Sequence, residues 1–455
     1  MAWALRQNEK EAVLGKRIAI AAIGTMGDVQ PFVALGRALM RRGHSVVIAT
    51  TVDFENFVTS HGLEFQTLGA DIQAFMRQSQ FDTVMQKNSL LYAPKLLRDG
   101  QKILRVACRH LWATAQNVDA IVFHQTTNFA VDVAEALDIP AIMTAFQPIN
   151  PTGEFPYFAY EGSAPEPLFN RISLDPLFNR LSYVMQAAYQ SYYDFPRDRM
   201  RAKLLGLRSR KRSGFSKNAR GEPIPALHAY SPIISPRPGD WPETTTVTGF
   251  WRLDDITGWE PDASFRKFLD AGEAPIYLGF GSMPWGAQRN TEIITRALRA
   301  WGGRAVVGKG WGGIRAEDLP DTVYSIEKAP HTRLFPLMKA LVHHGGAGTT
   351  YAGLYAGKPT FVVPHFFDQP YWGRRVFELG CGPQPVRLRK LTPGILAAAL
   401  EELSTESSYQ LAATELRDRL HLEDGTGLAA DIVEETIETY PGNYYATNQM
   451  MGAAS

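Results

Sequence analysis

The sequence predicts an α/β protein made of two doubly wound parallel-sheet domains in series. Three observations carry this expectation. Apolar, β-rich runs alternate with helix-periodic segments, twice, on either side of an irregular stretch at 148–220. The chain has 455 residues, too many for one ordinary core. In each half a glycine-containing turn joins an apolar run to a helix: GTMGDVQP at 24–31 and HHGGAGTT at 343–350.

The first run, RIAIAAIG (17–24), is continuous and apolar, as a central parallel strand requires. After the turn, Phe32, Val33, Gly36, Leu39 and Met40 recur at helical spacing, and Arg41, Arg42 and Gly43 end the helix. SVVIATT (45–51), EFQTLG (64–69), AIVFHQT (120–126), a helix to about Leu137 and PAIMTAFQ (140–147) continue the series. Pro148, Pro151 and Pro156 then break it within an aromatic stretch. An aromatic helix near 182–195 and the basic RSRKRSG (208–214) follow, and 228–251 reads as a last strand plus linker. Alternation resumes with PIYLGFGSM (275–283), a helix near 291–301, RAVVGKG (304–310), TVYSIEK (322–328), ALVHHGG (340–346) and PTFVVP (359–364). Helices fill 392–439. The expected division is 1–245 and 263–424 with a linker at 246–262, then a terminal helix and tail at 425–455.

Composition narrows the function classes. The chain is 45% hydrophobic and 20% charged, as a globular protein is. Its 47 Lys and Arg against 46 Asp and Glu leave a net charge of +1, so nucleic acid is not an expected partner. Cys108 and Cys381 read as reduced, buried thiols. No run approaches the roughly 20 apolar residues of a membrane span, and the N-terminus lacks a signal-peptide core. A cytoplasmic protein with at most peripheral membrane contact is expected. RSRKRSG is either a solvated loop or a contact with an anionic membrane surface. No His, Cys or Asp cluster has metal-ligand spacing, and a P-loop lysine motif is absent.

Four segments carry chemistry, each beside a plainer reading. In HHGGAGTT, the strand exit and Gly345, Gly346 and Gly348 bring a helix N-terminus close to an anion, with an imidazole as a further donor. The plainer reading is a helix start with structural histidines. In GTMGDVQP, Gly24, Thr25 and Gly27 shape a loop around Asp28, which serves as a helix cap or as a general base in the interdomain crevice. The G-x-x-G spacing, and the absence of an acid after the second strand, count against a dinucleotide fingerprint. In GFGSM (279–283), Ser282 ends a buried strand as a phosphate contact or a simple turn. In PHFFDQP (364–370), Asp368 and Gln369 offer paired groups for adjacent sugar hydroxyls, or cap a helix.

Together with TGFW (248–251) and KAPHTRLFP (328–336), these segments resemble, in order, the inverting glycosyltransferases of family 1, and most of all their sterol- and antibiotic-glycosylating branch. The resemblance implies a glycosyltransferase-B fold, with acceptor on the N-terminal domain, nucleotide sugar on the C-terminal one, and a last helix crossing back. It assigns the diphosphate to His343, Ser282, Gly345 and the backbone from Gly346 through Ala347 and Gly348 to Thr349. Uracil falls to the backbone at Ala329, sugar hydroxyls to Asp368 and Gln369, and the acceptor's proton to Asp28. Lys328 and Tyr351 stand where plant relatives have a base-stacking Trp and a ribose-binding Glu, which leaves UDP or dTDP open. The implied reaction is direct, metal-free displacement, with the nucleotide sugar as co-substrate. Phe155, Tyr157, Phe158 and Tyr160 line a lipophilic cleft or belong to the core. A sterol leads as acceptor, ahead of a polyketide, glycopeptide or phenolic natural product. A nicotinamide oxidoreductase and a non-catalytic sugar-nucleotide or lipid binder are the rivals from other classes.

Overall fold

The computed structural model describes residues 15–69, 93–157, 175–184, 200–208, 216–218, 220–253, 258–280, 287–308, 319–327 and 329–441. Two parallel sheets follow one another along the chain. The first holds seven strands: β1 (Arg17–Ala21), β2 (Ser45–Thr50), β3 (Glu64–Thr67), β4 (Ala120–His124), β5 (Ala141–Ala145), β6 (Ala226–His228) and β7 (Thr245–Val247). Their spatial order is β3-β2-β1-β4-β5-β6-β7. The second holds β8 (Ile276–Gly279), β9 (Ala305–Gly308), β10 (Val323–Ile326), β11 (Ala340–His343) and β12 (Thr360–Val362), in the order β10-β9-β8-β11-β12.

Both sheets are doubly wound. The order reverses between β1 and β4 in the first and between β8 and β11 in the second. Such reversals open a crevice at the carboxyl ends of the strands, because the connecting helices leave on opposite faces. GTMGD leaves β1 and HHGGAG overlaps the end of β11, so both turns lie at these points. The central strands are buried along nearly their whole length, which is why they read as unbroken apolar runs.

Helices cover both sheets. In the first half they are α1 (Met26–Arg41), α2 (Glu55–Ser60), α3 (Ala93–Thr114), α4 (Ala130–Leu137) and α5 (Asp175–Ser182). The second half has α6 (Ala263–Asp270), α7 (Ala287–Trp301), α8 (His331–Leu334), α9 (Ala347–Tyr355), α10 (Gln369–Glu378), α11 (Pro393–Thr405), α12 (Ser407–Leu420) and α13 (Gly425–Thr439). The last of these returns to the first sheet. Ala429, Ala430 and Val433 join the apolar cluster of Val29, Phe32 and Leu39 on α1. Arg42 Nη1 donates to Asp431 at 2.7 Å and to Glu434 at 2.8 Å.

Polar and aromatic contacts seal the seam between the halves. Tyr351 accepts a hydrogen bond from the backbone N–H of Ser231 at 2.9 Å and stacks on Phe250 with ring centres 4.2 Å apart. Arg375 Nε donates to the carbonyl of Ile234 at 2.7 Å, Tyr371 bonds to Ser235, and Ser231 Oγ donates to Glu423 at 2.6 Å. Tyr351 is fully buried in this seam. Cys108 and Cys381 are buried free thiols, and burial pushes that of Cys381 up to about 12. Among the described residues no helix is long and apolar enough to cross a membrane.

Candidate functional site

Asp28 sits in the first turn of α1, with Thr25 at the helix cap. Its Oδ2 accepts from the Thr25 backbone N–H at 2.6 Å and from Thr25 Oγ1 at 3.0 Å. A Cβ on Gly24 would lie 2.2 Å from that oxygen, so only glycine lets the carboxylate fold back onto the cap. The side chain remains 30% exposed, and its Oδ1 lies 3.9 Å from Nε2 of His124. Capping and crevice exposure therefore coexist in one residue.

The opposite wall is built from β11, β12 and the helices that follow them. Gly345 has φ +87°, and a Cβ there would lie 2.5 Å from Val362 Cγ1 and 3.0 Å from the carbonyl of Gln369. This turn sets Gly346 as the cap of α9. Among the described residues no side chain caps that helix, and residues 346–349 are partly exposed. The backbone N–H groups of the first turn thus face the crevice without an intrahelical partner. Ala329 lies just before α8 and is half-buried.

The two histidines differ from expectation. His343 does not stand at the mouth: it is the last residue of β11, 0% exposed, and its Nδ1 accepts from the Gly345 N–H at 3.0 Å. The partly exposed residue of the two is His344, whose Nε2 lies 2.6 Å from where a Cβ of Gly346 would be. His343 is thus set behind the mouth, with its Nε2 also buried and without a hydrogen-bond partner among the described residues. Sequence reasoning missed His344 and also His365, at the exit of β12. Burial lowers both imidazoles to about 4; a hydrogen bond to Gly279 opposes the shift at His344, and the His344 ring adds to it at His365. Nδ1 of His344 and Nε2 of His365 are buried without a hydrogen-bond partner among the described residues. Unsatisfied buried nitrogens are costly and mark a place where a polar ligand is accommodated.

Asp368 caps α10 by position, but its carboxylate is not spent on the cap. Its Oδ2 accepts instead from the indole N–H of Trp372 at 2.7 Å. Burial raises Asp368 to about 6; the Trp372 hydrogen bond opposes this and the nearby charge of Asp28 adds to it. Asp28 is therefore near enough for its charge to act on Asp368. Gln369 Oε1 accepts from the backbone N–H groups of His365 at 2.8 Å and Phe366 at 3.3 Å, which pins the loop before α10.

Of the residues expected to line an acceptor cleft, Phe155 and Tyr157 are placed, both partly buried against the apolar cluster of the first sheet. Phe155 packs with its ring centre 5.9 Å from that of Tyr371, and Tyr157 at 5.4 Å from Tyr183. Ser282, Phe158, Tyr160, Lys328 and most of RSRKRSG lie outside the described residues. Among the described residues no group of three or more His, Cys, Asp or Glu side chains is placed to hold a metal ion.

Comparison with known proteins matches both halves. Residues 18–156 fit the glycosyltransferase family 28 N-terminal domain, and 313–434 the erythromycin biosynthesis protein CIII-like C-terminal domain. Two sterol 3-beta-glucosyltransferases of Arabidopsis thaliana are 36% and 33% identical over 90% and 91% of the chain, which spans 64% and 67% of their lengths. A sterol 3-beta-glucosyltransferase of Leptosphaeria maculans is 30% identical, and the chain spans 29% of it. Among solved structures, the glycosyltransferase of kitacinnamycin matches with a TM-score of 0.65 at 20% identity, over 93% of this chain and 99% of that one. The calicheamicin glycosyltransferase matches at 0.60 and 20% identity, with the same coverage. The fold is glycosyltransferase-B.

Proposed function

The chain belongs to the glycosyltransferase family that includes the sterol 3-beta-glucosyltransferases, and we propose that it moves a hexose, glucose first, from UDP to the hydroxyl of a lipophilic alcohol of the sterol class. The single observation that carries this reading is the pair of carboxylates at two strand exits, Asp28 after β1 and Asp368 after β12, near enough for the charge of one to act on the other. A base on one side and a hydroxyl acceptor on the other bracket the space that a hexose would occupy.

In this reading Asp28 takes the proton of the acceptor hydroxyl. The hydroxyl oxygen attacks the anomeric carbon from the face opposite the nucleotide, inverting it. Charge grows on the departing diphosphate, where the first turn of α9 and the imidazole of His344 stabilise it as it forms. These groups supply the electrostatic term themselves, so the proposed reaction is metal-independent. Asp368 and Gln369 orient the sugar, and Ala329 offers its backbone to the base of the nucleotide. Peripheral contact with a membrane, where such an acceptor dissolves, belongs to the same proposal.

Incubation with UDP-glucose and dTDP-glucose against sterols, polyketides and phenols, read by mass and NMR, tests it. A β-linked sterol glucoside, formed undiminished in EDTA, is expected. Sugar transfer to polyketides or phenols alone would overturn the acceptor class, and an α-linked product the direct displacement. Asp28→Asn should lower kcat by roughly 10²–10⁴-fold.

A further inference from the structure

Among the described residues, Asp138 and Phe367 are the non-glycine residues whose backbone is left-handed, with φ 53° and 54°. Aspartate tolerates that region, because its short polar side chain bonds locally. A bulky ring there is strained. The neighbours of Phe367 impose the conformation. Gln369 Oε1 holds the backbone N–H groups of His365 and Phe366, and the Gln369 N–H donates back to the carbonyl of Phe366 at 3.3 Å. On the other side, the Asp368 carbonyl accepts from the Trp372 N–H at 3.1 Å in the first turn of α10. Phe367 absorbs the turn between these fixed points.

The ring of Phe367 adds little to the fold. It is 58% exposed, meets Phe366 edge-on at 4.8 Å, and joins none of the apolar clusters among the described residues. Glycine would relieve the backbone and forgo a ring that buries little, so folding alone does not account for phenylalanine at this position. Its place does. It immediately precedes Asp368, on whose carboxyl the charge of Asp28 acts. Asp28 has an apolar companion of its own. Met26, two residues before it, is 42% exposed and likewise outside those clusters. Each of the two carboxylate-bearing strand exits thus presents an exposed apolar side chain.

We propose that Phe367 is a specificity-determining residue, the platform on which the apolar skeleton of the acceptor alcohol rests while its hydroxyl meets Asp28, with Met26 extending the same apolar rim. The inference rests on the transferase reading above. The groups offered to the hexose are held further in: Gln369 is buried, and the Asp368 carboxylate is tied to the Trp372 indole. A ring standing outside them is placed for the partner that arrives from solvent. A flat aromatic face and a pliant thioether suit a rigid hydrocarbon skeleton and offer nothing to a charged one.

Phe367→Ala removes the ring and keeps the strained backbone, and Phe367→Gly removes both. Kinetics with UDP-glucose and cholesterol in detergent micelles should show KM for cholesterol raised about 4–20-fold in both variants, the range expected for the exposed part of one phenylalanine ring. The kcat and the KM for UDP-glucose should stay at wild-type values, since nothing at the reacting atoms is removed. Phe367→Tyr keeps the ring and should keep the cholesterol KM. Thermal melts should place Phe367→Gly above Phe367→Ala, because glycine alone is unstrained there. A wild-type cholesterol KM in both ring-less variants would overturn the inference while leaving the transferase reading standing. A raised KM for UDP-glucose alone would overturn it as well, by setting the ring against the hexose. A Phe367→Gly protein that melts no higher than Phe367→Ala would show an unstrained backbone, with the same consequence. A wild-type protein that glucosylates no sterol would remove the transferase reading and the inference with it.

Discussion

At Gly345 a single missing carbon decides whether the proposed phosphate wall can form. The backbone is left-handed there, and a methyl group would strike Val362 and the carbonyl of Gln369. Gly345→Ala should destabilise the protein by about 1–3 kcal/mol and shift the N-terminus of α9 away from its ligand. Thermal melts and UDP calorimetry would show both losses together; unchanged UDP affinity would mean that α9 does not hold the diphosphate. Asp368 makes a prediction of a different kind. Burial, with help from Asp28, raises it to about 6, against roughly 3.9 for an unfolded aspartate. The folded protein therefore binds the extra proton between those values, and this group's contribution to stability grows as pH falls through 6 and is complete below about 4. Sugar binding runs the other way, because an ionised acceptor makes the stronger hydrogen bond to a hydroxyl. The ratio of UDP-glucose to UDP affinity should fall as pH drops below about 6, and Asp368→Asn should abolish that dependence. Comparing the two ligands cancels whatever the neighbouring imidazoles do to the diphosphate.

Among the elements, α13 shows how a distant segment is bound into the first domain. Its Ala429, Ala430 and Val433 complete the cluster on α1, and Glu434 ties both Arg42 and His44. Val433→Asp would place an unpaired charge in that cluster and should cost at least about 3 kcal/mol, readable as a lowered Tm. A Tm equal to wild type would mean that α13 contributes nothing to the first domain's stability. The sequence showed where most strands lie because the central ones are buried on both faces and so read as plain apolar runs. The same burial hid which of the two histidines is the more exposed. In β11 every residue is buried, so alternation carries no information about whether His343 or His344 turns to the cleft. Residues 93–114 were assigned no element, yet they form α3, anchored by Ala107, Cys108 and Leu111. Their helical spacing is present in the sequence but diluted by the many Lys and Arg around it. The surroundings of His124 were not legible either, because only the sheet brings Asp28, Thr126 and Ile23 to it.

For the whole molecule, the cleft exists only while its two walls stay in register. Tyr351 occupies a position where a contact with ribose is the resemblance's implication for plant relatives, but here it is committed to the seam. Its hydroxyl satisfies the Ser231 N–H and its ring lies flat on Phe250. No spacing in the sequence could reveal this, since the partners come from opposite domains. Tyr351→Phe keeps the stack and leaves a buried N–H unpaired, at a cost of about 1–3 kcal/mol. Properties that need one wall should separate from those that need both. UDP affinity, which the proposed function assigns to α9 and its neighbours, should hold within a factor of about two, since none of those contacts is removed. The rate of transfer should fall, because Asp28 and the sugar would no longer be held at a fixed separation. Calorimetry and single-turnover kinetics on the same variant distinguish the cases. A loss of UDP binding would place Tyr351 in the nucleotide site, and an unchanged rate would show that the seam is not what aligns the base with its substrate.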